Sequence, residues 1–152
     1  MKIILVLFFT IFMLVSCGSE NFEDDCDPNA GAEVCDVFFI VNQERKSLSL
    51  PRLTWNAELA AAADAHAADM QTQGYFDHVS KNGRTFSQRA EDAEYDAFPT
   101  GENIAQGQKT AKAVMNAWMT SNGHRRNILS VQSNEIGVGL RGNFWVQVFG
   151  KR

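Results

Sequence analysis

Near the C-terminus, Phe144, Val146 and Val148 alternate with Trp145 and Phe149, so a strand over this stretch is apolar on both faces. Successive strand side chains point to opposite sides of a sheet, and a strand with two apolar faces needs cover on both. Ile136, Val138 and Leu140 alternate with Gly137 and Gly139 just upstream, and Gly142-Asn143 supplies a two-residue turn between the two runs. The expected core is therefore a hairpin-containing sheet with helices on either side, an α+β fold arranged as a three-layer α-β-α sandwich.

The chain provides those helices. A first is expected from about Glu33 to Lys46, with Val34, Val37, Phe38 and Val41 at helical spacing and Arg45 and Lys46 in its last turn, where they suit the negative end of the helix dipole. After Leu53-Thr54-Trp55 comes the clearest helix, capped by Asn56, running through Leu59, Ala62, Ala63, Ala67 and Met70, and stopped by Gly74. Its alanines permit close packing against a sheet. His66 lies on or beside that apolar stripe and reads as a histidine hydrogen-bonded in the core rather than a ligand.

From Tyr75 to Gln108 the periodicity is weak and turn residues are frequent, with a short helix expected from Phe86 to Glu91; loops on a rigid scaffold are common homes for function. Thr110 can cap a further helix with Val114, Ala117 and Trp118 inward, and Asn122-Gly123 is expected to form its left-handed stop. The globular part, from about Val34 to Gly150, holds roughly 115 residues, enough for one core.

Ahead of it, Lys2 precedes an apolar run from Ile3 to Val15 broken only by Thr10. The run falls short of the about 20 residues of a membrane span and suits a cleaved export signal over residues 1–16. Leu14-Val15-Ser16-Cys17 resembles the bacterial lipobox, which makes Cys17 the expected lipidation site and mature N-terminus; an ordinary signal with a chance cysteine is the other reading. Residues 17–33 then form a lipidated acidic tether, small and polar from Gly18 to Asp25.

Cys26 and Cys35 bracket a turn-rich loop, and in an exported protein they are expected to pair, stabilising by about 2 to 3 kcal/mol in the chain-entropy model. A metal pair or two free thiols are the alternatives. Removing Lys2 leaves 13 basic against 18 acidic residues, a formal charge of −5 where the whole chain has −4. With no basic tract, nucleic acid is not an expected partner.

Asn42-Gln43-Glu44-Arg45, Leu53-Thr54-Trp55, Phe76-Asp77-His78, Gly101-Glu102-Asn103-Ile104-Ala105, Trp118-Met119 with Gly123-His124-Arg125-Arg126-Asn127-Ile128-Leu129, and Ile136-Gly137-Val138-Gly139 form six ordered blocks. Together they resemble the CAP superfamily, the SCP-like extracellular domains related to cysteine-rich secretory proteins, antigen 5 and pathogenesis-related protein 1, here in the short bacterial form and covering residues 34–152. The resemblance implies an α-β-α sandwich whose cleft holds two histidines and acidic residues and binds divalent cations in some members. Carried over by motif, these positions are His78, Glu102 and His124. A second glutamate in a Trp-x-x-Glu pattern, usual in eukaryotic relatives, is replaced here by Ser121.

Two imidazoles and one carboxylate make a reasonable zinc set, with a position left for water. The separations of 24 and 22 residues are not those of a strong zinc signature. If Glu102 instead accepts an imidazole N–H, it orients a ligand and only the histidines hold a weakly bound ion. Glu102 also reads as a loop brace accepting backbone N–H groups, and Asn103 and Asn127 as turn-stabilisers.

Ser80, Ser87, Ser121 and Ser130 are nucleophiles only by type, since none sits in a Gly-x-Ser-x-Gly elbow. The expected function is a non-catalytic, membrane-tethered binding module whose cleft takes a divalent cation, zinc first, together with a peptide, lipid or cell-envelope ligand. The alternative is a metal-dependent hydrolase of peptide or ester bonds with Glu102 as general base. Either acts in the bacterial cell envelope, periplasmic or on the cell surface.

Overall fold

The computed structural model describes residues 25–152. The expected signal, Cys17 and the tether as far as Asp24 lie outside the described residues. In chain order the elements are α1 (Ala32–Ser47), β1 (Thr54–Trp55), α2 (Ala57–Gln73), α3 (Phe86–Asp92), β2 (Phe98–Gln106), α4 (Ala111–Thr120), α5 (Asn122–Ile128), β3 (Glu135–Arg141) and β4 (Phe144–Lys151). One four-stranded sheet runs β1-β3-β4-β2, parallel between β1 and β3 and antiparallel elsewhere. Among the described residues no helix is long and apolar enough to cross a membrane.

The doubly apolar strand sits inside the sheet and feeds two cores. Phe144, Val146 and Val148 pack with Leu59, Ala63, Ala67 and Met70 of α2, whereas Trp145 and Phe149 pack with Val37, Phe38 and Val41 of α1 and Val114, Met115 and Trp118 of α4. The alternation in β4 thus assigns one helical layer to each face, as the sequence predicts.

Glycine and alanine bring one layer unusually close. Gly137 and Gly139 pair with Val148 and Val146 and so face α2. A Cβ on Gly137 would lie 2.0 Å from the backbone nitrogen of Ala60, and one on Gly139 2.3 Å from that of Asp64. The backbone of α2 therefore rests directly on β3, which only a strand without side chains on that face permits.

The caps follow the sequence. Asn56 accepts from the Leu59 N–H at 2.8 Å, Gly74 ends α2 in the left-handed region at φ 64°, Thr110 accepts from Ala113, and Thr85 and Gln88 form a capping box on α3. Cys26 and Cys35 are joined, with Cα atoms 5.7 Å apart, and Cys26 is buried against the core of α1.

Three expectations are corrected. Residues 98–106 form β2, a full strand beside β4, where weak periodicity suggested loop; its polar residues and Pro99 hide the pattern, and pairing with β4 supplies the partner that local sequence cannot show. Asn122-Gly123 does not terminate a helix: the break is at Ser121, in extended conformation (φ −100°, ψ 122°), and Asn122 opens α5. Met115, rather than the half-buried Ala117, joins Val114 and Trp118 inside. Arg45 and Lys46 lie in the last turn of α1, as expected, and Arg45 is in addition buried: it donates to the carbonyls of Pro51, Ile128 and Ser130 at 2.8 to 2.9 Å, so it ties α1 to the C-terminus of α5.

Candidate functional site

His78, Glu102 and His124 meet beside the edge strand β2, one from the loop after α2, one from β2 itself and one from α5. They line a cavity of about 310 Å³ with Ser121, Gly123, Arg126 and Asn127. Ser121, at the position of the missing glutamate, therefore still faces the cleft.

His78 sits on the loop after α2. Asp77 Oδ1 accepts from the Val79 N–H at 2.8 Å, Asp77 O lies 3.0 Å from Nε2 of the fully buried His66, and Arg89 Nη2 donates to the His78 carbonyl at 3.0 Å. The core reading of His66 holds: its ring ties the loop to α2. Burial lowers its pKa, outweighing the Glu102 and Asp69 charges and the Asp77 carbonyl, which favour the charged ring.

Glu102 is on β2, not in a loop, and does not brace backbone N–H groups. Its side chain is 1% exposed; Oε1 lies 2.8 Å from His78 Nδ1 and Oε2 accepts from Arg89 Nη2 at 2.6 Å. The carboxylate is thus a clamp between a ring and a guanidinium. Its hydrogen bond to His78 raises that imidazole's pKa, since the protonated ring is the better donor.

His124 is carried by α5, which two asparagines fasten to β2. Asn127 Nδ2 donates to Glu102 O at 3.1 Å and to Asn103 Oδ1 at 2.9 Å, while Asn103 Nδ2 donates to His124 O at 3.2 Å and to Gln147 Oε1 at 3.0 Å. Asn103 and Asn127 therefore bridge a strand to a helix instead of stabilising turns. Burial, and then the nearby His78 charge, lower the pKa of His124, and its Nδ1 is buried with no hydrogen-bond partner.

No sequence motif points to Arg89, yet it organises the site: besides His78 and Glu102 it donates to Ser80 Oγ at 3.1 Å and Arg84 O at 2.8 Å. One signal existed. In α3, Phe86, Arg89 and Ala90 share a helical face, and a charge on an apolar stripe points to a buried partner. Of the serines considered, Ser80 is committed to Arg89 and only Ser121 lines the cleft.

Among the described residues no group of three or more His, Cys, Asp or Glu side chains is arranged to hold a metal. The donors with capacity left are the two imidazoles, one of them carrying the unpartnered Nδ1. By donor chemistry these two imidazoles are the side chains that would suit a borderline-soft divalent cation, with Glu102 behind His78 as the orienting carboxylate.

Residues 38–149 match the Cysteine-rich secretory protein family, CAP. The chain is 38% identical over 115 residues to YkwD of Bacillus subtilis and 34% identical over 116 residues to the membrane protein YlbC of the same organism, matches covering 74% and 76% of this chain but only 45% and 34% of those proteins. Among solved structures, an extracellular protein containing a SCP domain from Bacillus anthracis superposes with a TM-score of 0.77 at 32% identity, covering 79% of this chain and 40% of that one. An outer surface protein from Borrelia burgdorferi gives 0.71 at 26% identity, covering 76% of this chain and 90% of that chain. The chain therefore belongs to the cysteine-rich secretory protein, or CAP, family.

Proposed function

We propose that this is an exported CAP domain whose cleft binds a divalent cation weakly through His78 and His124 and uses it to engage an envelope ligand, without catalysing a reaction. The observation that carries the reading is the Glu102 clamp, which holds His78 by Nδ1 and leaves the opposite ring nitrogen to the cleft. A ring oriented by a carboxylate is the usual support for a metal-ligating histidine. Two protein donors make for exchangeable rather than structural binding. The extracellular and outer-surface relatives favour export, and the Ile3–Val15 run with Cys17 favours a lipid anchor.

The same clamp weighs against the hydrolase alternative. A general base must reach the water it deprotonates, and both Glu102 oxygens are already engaged inside the wall of the cleft. Zinc titration by calorimetry tests the proposal. Wild type should show saturable heat, lost in His124→Ala and weakened about 10- to 100-fold in Glu102→Gln. No metal-linked heat in wild type removes the cation, and zinc-dependent cleavage of peptide or ester substrates restores the hydrolase.

A further inference from the structure

Strand β1 stops after two residues because Asn56 immediately caps α2, so it covers only Glu135 and Ile136 of β3. The Asn56 N–H donates to Ile136 O at 2.9 Å, so Ile136 directs its backbone groups to the β1 side. Backbone polar groups of alternate strand residues share a side. Val138 and Leu140 therefore turn their N–H and C=O groups to the same edge, beyond the end of β1, while Gly137 and Gly139 face β4. Among the described residues no strand pairs with that stretch of edge.

The edge opens into a cavity of about 360 Å³ between the disulfide loop on one side and the exposed flank of α2 on the other. Two features state what it would hold. Trp55 lines it, and the Trp55 Nε1–H is buried with no acceptor. Ala57, Ala60 and Ala61 form the α2 wall, so nothing larger than a methyl group projects from that side to keep a chain away from the strand edge.

Charge narrows the choice further. Asp27 and Asp64 stand at the rim, and the one cation there, Arg141, is already held by both oxygens of Asp64 at 2.8 and 2.6 Å. An anion finds no free partner, and a hydrocarbon chain would leave the strand edge and the indole N–H unsatisfied. A chain of alternating amide donors and acceptors satisfies both.

We propose that the open edge of β3, between the disulfide loop and α2, is a docking slot for an extended peptide segment, which adds to the sheet beside Val138 and Leu140 and gives a carbonyl to the Trp55 indole. Strand addition of this kind draws affinity from main-chain hydrogen bonds and is tolerant of sequence. The slot shares no residue with the cleft, so it stands or falls separately from cation binding.

The test titrates the full chain, isotopically labelled, in detergent and with EDTA present, with the blocked pentapeptide acetyl-Ala-Ser-Ala-Ser-Ala-amide to about 10 mM. The Val138 and Leu140 amides and the Trp55 indole should shift saturably, and exchange of those two amides should slow at least about tenfold. Trp55→Phe, which keeps the edge-on contact with Phe38, should raise Kd about fivefold, and Ala61→Leu, at an exposed helical position, about tenfold or more by filling the slot. Three results overturn the proposal: no saturable shift in wild type, shifts that persist unchanged in Ala61→Leu, or the same shifts appearing with protein concentration alone, which would make a second copy the occupant.

Discussion

The contact between α2 and β3 and the cleft beside the edge strand β2 are built in opposite ways. In the first, two backbones touch because glycine and alanine leave nothing between them; in the second, elements distant in sequence are held apart and tied by directional bonds from Arg89, Asn103, Asn127 and Arg45. The first tolerates no added volume. The second tolerates volume but not the loss of a polar partner, since what remains would be buried and unpaired.

The same substitution placed in each region separates them most sharply. Gly137→Ala puts a methyl 2.0 Å from the α2 backbone and should destabilise by more than about 4 kcal/mol, measured by urea unfolding. Gly123→Ala, inside α5 with nothing within 4 Å of its new Cβ, should be neutral or stabilise by up to about 1 kcal/mol. Equal losses at both positions would abolish the contrast.

Arg89→Met comes next. Glu102 would keep a buried charge with only His78 beside it, and a loss of about 3 kcal/mol is expected. Adding Glu102→Gln should recover part of that loss, which a purely steric role for Arg89 would not allow. Replacing Cys26 and Cys35 by serine, outside both regions, should lower stability by about 2 to 3 kcal/mol while leaving zinc heat unchanged.

The smallest effect is in pH. His66 has a lowered folded-state pKa, so its contribution to stability is complete above about pH 6.5 and declines as pH falls below that, where the unfolded chain binds the extra proton. His78 has a raised pKa and does the reverse: its contribution is complete below about pH 6.5 and is lost as pH rises through the folded value. Imidazole titration by NMR on metal-free protein should order the three rings with His78 above about 6.5 and His66 and His124 below it. His78 titrating lowest would contradict the clamp.

The regularity of each region explains how far it could be read in advance. Helix α2 announces itself through Asn56, its alanines and Gly74, and the glycines of β3 mark a strand that something approaches closely, though not what. The site residues were legible only as scattered motif positions. That Glu102 belongs to a strand, and that its second oxygen belongs to Arg89, depends on chain segments 13 to 24 residues apart meeting across β2, which no local pattern encodes. Arg45 escapes local reading for the same reason: its partners at Ile128 and Ser130 are more than eighty residues away.

By itself the amino-acid order determined the elements and their layers, because propensity, caps and alternating burial are short-range properties carried by neighbouring residues. Only the tertiary structure decided which polar groups are spent and which remain open. Pairing depends on distances between segments far apart in the chain, so Glu102 became a clamp, His124 kept an unpartnered nitrogen, and the edge beside Val138 and Leu140 was left without a strand.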